Sequence, residues 1–178
     1  MTWASWIAAI SALISIGALI VAIKSKVEAS KIAEDQRYLG LLHDYKSADM
    51  LAAIERLYAF ERECNEICKK TKCKTNEERN KIFKEKYEGI KKQELKTISA
   101  DKIKKSLHYQ RRLVSHFYCH MYNSIYLKLI PEKPIFTFWT TGTLKIIPDI
   151  LEKIGKDPDK HLTDLYNMAK NFRNGGGK

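Results

Sequence analysis

The chain has 178 residues, with 32 Lys or Arg against 21 Asp or Glu, and its formal net charge at pH 7 is +11. This length accommodates one compact domain, and the charge favours anionic partners such as lipid headgroups, nucleic acid or nucleotides. No glycine-rich phosphate loop occurs, which excludes the common nucleotide-binding motifs. The four cysteines lack the closely spaced pairs of a zinc site, so the sequence predicts no metal site, although Cys73, His116 and His120 could assemble one in space.

The chain begins with an apolar segment. Residues 1–23 carry no ionisable side chain, and a helix needs roughly 20 apolar residues to cross a bilayer. Two tryptophans stand near its start, where aromatic rings favour the membrane interface, and Lys24, Lys26 and Lys31 follow its end, which is typical of the cytoplasmic side. The sequence therefore predicts a single transmembrane helix over residues 1–24 in the inner (plasma) membrane, with the N-terminus outside. A cleaved signal peptide and a buried core helix are the alternatives.

The rest of the chain has an almost entirely helical pattern. Residues 25–46 predict a helical stalk, residues 47–173 a cytoplasmic helical domain and residues 174–178 a flexible tail. The segment 134–142, which is aromatic and β-branched, is the only one that predicts an extended conformation. The predicted fold class is therefore all-α: a transmembrane helix followed by a helical bundle, with at most a short extended segment near 134–142.

Local signals mark the predicted helix ends. Ser47 is a suitable N-cap for one helix, and Thr75, followed three residues later by a glutamate, predicts a capping box for the next. Ser99 is predicted to cap the longest helix, which runs from about residue 100 to about residue 130. Asp157 is predicted to cap the last helix, because a proline follows it at the first helical position.

The segment 110–123, QRRLVSHFYCHMYN, lies on the longest predicted helix, where residues three and four apart share a face. One face is apolar and comprises Ile103, Leu107, Val114, Phe117, Met121 and Ile125. A second face is polar and comprises His108, Arg112, His116, His120 and Asn123, with Arg111 on its flank. The first face predicts packing in the core, and the second is left for solvent, a ligand or another subunit.

The polar face differs in composition from an ordinary solvated surface. No Lys, Asp or Glu occurs between Lys105 and Lys128, whereas another predicted helix reads KEKYEGIKKQE. Arginine binds phosphate through a planar fork of donors, and histidine can donate to phosphate or titrate near neutral pH. The face therefore predicts an anionic ligand or a subunit interface. The predicted ligand contacts are Arg111, Arg112, His116 and His120, with His108 and Tyr118 at the periphery.

The spacing Arg111-x4-His116-x-Tyr118 resembles the R-x4-H-x-Y signature of the HEPN ribonucleases, small helical-bundle proteins of toxin–antitoxin and antiviral systems. The resemblance implies metal-independent cleavage of RNA, in which Arg111 stabilises the charge of the phosphate, His116 acts as acid or base and Tyr118 supports them. In that family the Arg and the His are usually paired across a dimer. The chain departs from the family in having Arg112 directly after the arginine, where Asn, Asp or His is common.

The overall arrangement resembles a second group, the membrane effectors of bacterial antiviral signalling, including some of type III CRISPR systems. This resemblance covers the apolar start, the basic helical domain and the Arg/His face. It implies a non-catalytic membrane-anchored sensor or effector that binds an anionic nucleotide-like ligand, for instance a cyclic oligonucleotide, and acts on the membrane as a homo-oligomer. The predicted partners are the lipid bilayer, further copies of the chain and the nucleotide-like ligand or RNA, with no cofactor. A tethered ribonuclease and an anchored adaptor for a protein partner are the alternatives.

Overall fold

The computed structural model describes residues 3–96 and 103–175, without the side chains of residues 4–13 and 95. This part of the chain is helical and contains no strand, which confirms the predicted all-α class. Its seven helices are α1 (Trp3–Tyr45), α2 (Ala48–Lys70), α3 (Asn76–Leu95), α4 (Leu107–Tyr126), α5 (Glu132–Phe138), α6 (Thr141–Lys153) and α7 (Lys160–Asn174).

From Trp3 onward, the N-terminal apolar segment forms the first half of α1. Within the described ranges, none of the helices combines the length and the apolar character that crossing a membrane requires. This finding contradicts the predicted transmembrane anchor over residues 1–24 and the predicted single-pass location in the inner membrane.

Five helices form a closed ring of contacts. Helix α2 packs on α4, α4 on α7, α7 on α6, α6 on α3, and α3 back on α2. The core is rich in aromatic rings, and its largest fully buried side chains include Phe60, Phe83, Tyr87, Tyr118 and Trp139. Because α4 contacts α2 on one side and α7 on the other, a third face of α4 is left pointing out of the ring.

Predicted side-chain caps begin two of these helices. Ser47 is the N-cap of α2, and its hydroxyl accepts a hydrogen bond from the backbone N–H of Met50 at 3.3 Å. Thr75 is the N-cap of α3 and forms the predicted capping box with Glu78, whose carboxylate accepts in turn from the Thr75 backbone N–H. Both caps supply acceptors to N–H groups that have no partner inside the helix. These two predictions are confirmed.

The apolar face predicted for the longest helix is found on α4 and just before it. Leu107, Val114, Phe117, Met121 and Ile125 are all buried, whereas Ile103, which precedes the helix, is 48% exposed. The described helix has Ser106 as its N-cap, and Ser99 lies outside the described residues. The helix ends at Tyr126 rather than near residue 130, because the chain adopts a left-handed conformation at Lys128, with φ of 54°.

Most of the segment 134–142 is helical, with residues 134–138 in α5 and residues 141–142 in α6, but the backbone of Trp139 and Thr140 between these helices is extended. The prediction of an extended conformation is therefore wrong for the helical residues and is met only at these two. Pro134 lies in the first turn of α5, where the backbone N–H that a proline lacks would have no helical partner anyway. Ile135, Phe136 and Trp139 are buried. Their apolar, aromatic character therefore reflects packing into the bundle, and tertiary contact overrides the local preference for strand.

The last helix begins later than predicted. Asp159, and not Asp157, is the N-cap of α7, and its carboxylate accepts a hydrogen bond from the backbone N–H of His161 at 2.8 Å. Both positions carry the same good capping residue, so the local preference for aspartate did not distinguish them. The observed cap places His161 in the first turn of α7.

The predicted stalk is the second half of α1, and its end packs on the bundle. Leu41 is buried, and the rings of Tyr38 and Tyr45 meet Trp139 edge-on at centroid distances of 6.4 and 5.4 Å. Tyr45 also contacts Phe117 of α4 at 5.8 Å. These contacts hold the end of α1 against Trp139 and the buried face of α4.

Candidate functional site

A cleft of about 660 Å³ opens beside the first half of α4. Such a volume is within the usual range for small-molecule sites. We call it the α4 cleft, and it is lined by Lys91, Glu94, Ile103, Ser106, His108, Tyr109, Arg112, Leu113 and His116. It therefore combines residues from the end of α3 with one face of α4.

The start of α4 is tied to the end of α3 by a carboxylate. Glu94 Oε1 accepts a hydrogen bond from the backbone N–H of Leu107 at 2.8 Å. The hydroxyl of Ser106 accepts a hydrogen bond from the backbone N–H of Tyr109 at 3.1 Å. The other carboxylate oxygen, Glu94 Oε2, is buried without a hydrogen-bond partner among the described residues. Because this oxygen is shielded from solvent, a donor on a ligand would reach it only after the Glu94 side chain turns toward the cleft.

A short hydrogen-bond chain orients His108. The Nε of Arg111 donates to the hydroxyl oxygen of Tyr87 at 3.2 Å, and that hydroxyl lies 3.0 Å from Nδ1 of His108. Because Tyr87 accepts from the arginine, its own proton is available to Nδ1. This assignment makes His108 Nδ1 the acceptor and leaves the ring proton of the neutral histidine on Nε2.

The surroundings of His108 are electropositive. Burial lowers the pKa of His108 below its usual range, and the nearby charges of Arg111, Lys156, Lys91 and Arg112 lower this pKa further. A cationic imidazole is disfavoured where four other cations already act on it. An anion entering the α4 cleft would relieve this repulsion.

Arg112 is the exposed cation of the cleft. Among the described residues, none forms a hydrogen bond or ion pair with its guanidinium. Lys91, the second cation of the wall, lies 3.8 Å from the carboxylate of Glu88 and is thus partly neutralised. Arg112 is therefore the group on this face best placed to hold an anion through its planar fork of donors.

A second groove continues along α4 toward its C-terminal half. Its volume is about 400 Å³, and it includes His116 and His120 together with Asp44 and Asp49. The two carboxylates give this groove a mixed charge. It is therefore less suited to an anion than the α4 cleft.

The predicted ligand residues are not all brought to one place. His108, Arg112 and His116 line the α4 cleft, and His120 lies in the neighbouring groove. Arg111 lines neither, because its side chain is directed to Tyr87. The predicted polar stripe is thus real as a helix face, but tertiary packing divides it into two environments.

Tyr118 has a structural position. It is 1% exposed, and its hydroxyl donates to the backbone carbonyl of Thr143 at 3.0 Å, which links α4 to α6. Burial raises the pKa of Tyr118 above its ordinary value. Arg111 and His116 are five residues apart on one helix, so they project about 140° from each other. In a single chain, the three residues of the ribonuclease-like spacing do not converge.

Glu94 and Tyr109 are cleft residues that the sequence did not indicate. Glu94 stands in a lysine-rich helix of alternating charge, where a carboxylate is ordinarily solvated. Tyr109 is 39% exposed and neighbours the polar face, but a single aromatic residue carries no periodic signal. Only the packing of α3 on α4 shows that these residues face a common cleft.

The chain matches no protein-family model, no curated protein and no solved structure. Its description therefore rests on its own fold and site. It is an all-α bundle protein with a cationic Arg/His cleft between α3 and α4.

Proposed function

We propose that the chain is a binding protein for an anionic nucleotide-like ligand, which it holds in the α4 cleft. The observation that carries the proposal is the guanidinium of Arg112, which faces the cleft without a protein partner among the described residues. An arginine in an electropositive cleft suits a phosphate group, because guanidinium and phosphate match in geometry and charge.

The other walls of the cleft suit the remainder of a nucleotide. Tyr109, Leu113 and Ile103 offer an aromatic and aliphatic surface for a base. Glu94 Oε2 lacks a donor, and the exocyclic amino group of adenine, guanine or cytosine would supply one after the Glu94 side chain turns toward the cleft. A ligand with an anion at one end and a flat donor-bearing ring at the other therefore satisfies both unmet groups.

The proposal is tested by titrating the purified protein with AMP, ATP, a cyclic oligoadenylate and a short single-stranded RNA. We expect at least one of these probes to bind without being consumed. Arg112→Ala should weaken that binding by about 10- to 100-fold, the range for a lost charge-assisted hydrogen bond. Isothermal titration calorimetry measures both affinities.

Arg37→Ala is the matched control, because it removes the same charge from an exposed position of α1 away from the cleft. Its affinity should stay close to that of the unmodified protein. Equal losses of affinity in the two variants would mean that binding depends on the net charge of the protein and not on Arg112. Failure of all four probes to bind would refute the proposal.

The same mixtures distinguish binding from cleavage. Degradation of the RNA that is abolished by His116→Ala would establish the ribonuclease interpretation and overturn the proposal. The engagement of Tyr118 with Thr143 and of Arg111 with Tyr87 supports binding without turnover, since two of the three motif side chains serve the fold.

A further inference from the structure

Three different metal-ligating side chains meet between α4 and α7, away from the α4 cleft. They are Cys119 of α4, Asp159 at the N-cap of α7 and His161 in its first turn. The thiol sulfur, a carboxylate oxygen and a ring nitrogen all lie within 4.8 Å of one another. None of these three residues lines the α4 cleft.

The cap of α7 holds two of the three groups in place. Asp159 Oδ1 accepts a hydrogen bond from the backbone N–H of His161 at 2.8 Å, and the same oxygen lies 3.7 Å from His161 Nδ1. Ligand atoms around tetrahedral zinc are separated by roughly 3.3–3.8 Å, given bond lengths of about 2.0–2.3 Å. The carboxylate and the imidazole are therefore already at coordination spacing.

The imidazole of His161 is oriented by an aromatic stack. Its ring lies 4.9 Å from that of Tyr122 with an interplanar angle of 14°, and Tyr122 in turn stacks on Tyr126 at 5.7 Å and 16°. Tyr122 is one turn beyond Cys119 on α4. The helix that carries the thiol thus also positions the histidine, which reduces the ordering that a metal ion would have to impose.

We propose that Cys119, Asp159 and His161 form a binding site for one divalent zinc-like cation. Sulfur, nitrogen and carboxylate oxygen together match the borderline-soft character of zinc, whereas magnesium and calcium prefer oxygen ligands alone. Three protein ligands leave a fourth tetrahedral position for water, since Asp159 and His161 are exposed. The thiol sulfur lies at most 4.8 Å from the other two ligand atoms, which exceeds the shortest ligand spacing around tetrahedral zinc by about 1.5 Å.

Charge balance favours the cation at this position. The N-terminus of α7 carries a partial positive charge that opposes a cation, but a carboxylate and a thiolate together supply two negative charges. Coordination replaces the thiol proton of Cys119 with the metal and releases that proton to solvent. The bound ion would then join α4 to α7, two neighbours in the ring of helices.

Titration of the metal-free protein with Co²⁺ in place of zinc tests the site. One thiolate ligand gives a sulfur-to-cobalt charge-transfer band, and a tetrahedral site gives strong visible d–d bands. We expect both at one equivalent, with displacement by Zn²⁺. Cys119→Ala should abolish the charge-transfer band, and His161→Gln should weaken Co²⁺ binding by at least about 10-fold.

Cys73→Ala is the matched control, because Cys73 is a partly exposed thiol outside the proposed site. Its bands should equal those of the unmodified protein. Bands that survive in Cys119→Ala but vanish in Cys73→Ala would place the metal elsewhere and overturn the proposal. His161→Gln changes an exposed side chain, so it keeps the test decisive if Cys119→Ala does not fold.

Discussion

His108 is the residue whose chemistry most depends on its neighbours. Its Nδ1 meets the hydroxyl of Tyr87 at 3.0 Å, and burial followed by the surrounding cations lowers its pKa below the ordinary value of 6.5. The folded protein thus binds a proton at His108 less readily than the unfolded chain does. Above the unfolded pKa both states are neutral there, so the residue adds no pH dependence. As the pH falls below that value, the unfolded chain takes up the proton first and stability decreases.

His108→Gln should remove this contribution. We expect the unmodified protein to lose more unfolding free energy than the variant between about pH 7 and about pH 5, because glutamine cannot titrate. Urea denaturation followed by circular dichroism at each pH measures the difference. His43→Gln, at an exposed position near the end of α1, is the control and should retain the steeper dependence. A dependence of equal steepness in His108→Gln would show that His108 is not the group responsible.

At the scale of elements, α2 and α6 are connected by an ion pair that is largely removed from solvent. Lys153 Nζ lies 2.8 Å from Glu61 Oε1, with side chains 19% and 23% exposed. The same ammonium lies 4.9 Å above the ring of Phe83 on α3. The side chain thus links α6 to α2 and α3, and its removal leaves a poorly solvated carboxylate.

Lys153→Met should therefore destabilise the protein by about 1–3 kcal/mol, the cost of leaving a half-buried charged acceptor without its partner. Lys145→Met is a matched control on the same helix. Lys145 pairs with Asp149 at 3.2 Å but is 54% exposed, so its loss should cost only about 0–1 kcal/mol. Thermal and urea unfolding measure the stability of both variants. Equal losses of stability would contradict the prediction that the Lys153 pair contributes more than the Lys145 pair.

At the scale of the whole molecule, Trp139 joins the end of α1 to the bundle. The residue is 0% exposed, and its ring lies 4.6 Å from that of Phe138 and 6.1 Å from that of Phe117, in addition to the two tyrosines of α1. Apart from the neighbouring Phe138, these contacts come from parts of the chain distant in sequence. The indole therefore belongs to the core.

Trp139→Ala should cost about 3–5 kcal/mol of unfolding free energy, as large-to-small substitutions of buried aromatic residues do. Phe138→Ala is the adjacent control. Its ring is 43% exposed, so the loss should be clearly smaller. Urea unfolding followed by circular dichroism compares the two. If the two losses were the same, the α1 contact would not depend on Trp139.

Parts of the candidate site were accessible from the sequence, and parts were not. The polar stripe on α4 follows from helical spacing, so the order of residues alone places His108, Arg112 and His116 on one face. The partner helix on the other side of the cleft could not be inferred in this way. Glu94 reaches α4 through a side-chain hydrogen bond to Leu107, and no local pattern in the lysine-rich α3 indicates that contact.

The amino-acid sequence by itself determined the helical class, the caps at Ser47 and Thr75 and the buried face of α4. These features depend on interactions within one or two turns of helix, which spacing and residue type reveal directly.

Only the tertiary structure decided that most of the segment 134–142 is helical and that Cys119 meets Asp159 and His161. Both depend on side chains from different helices packing together. Such contacts between distant parts of the chain leave no periodic signal, because their geometry exists only once the ring of helices has closed.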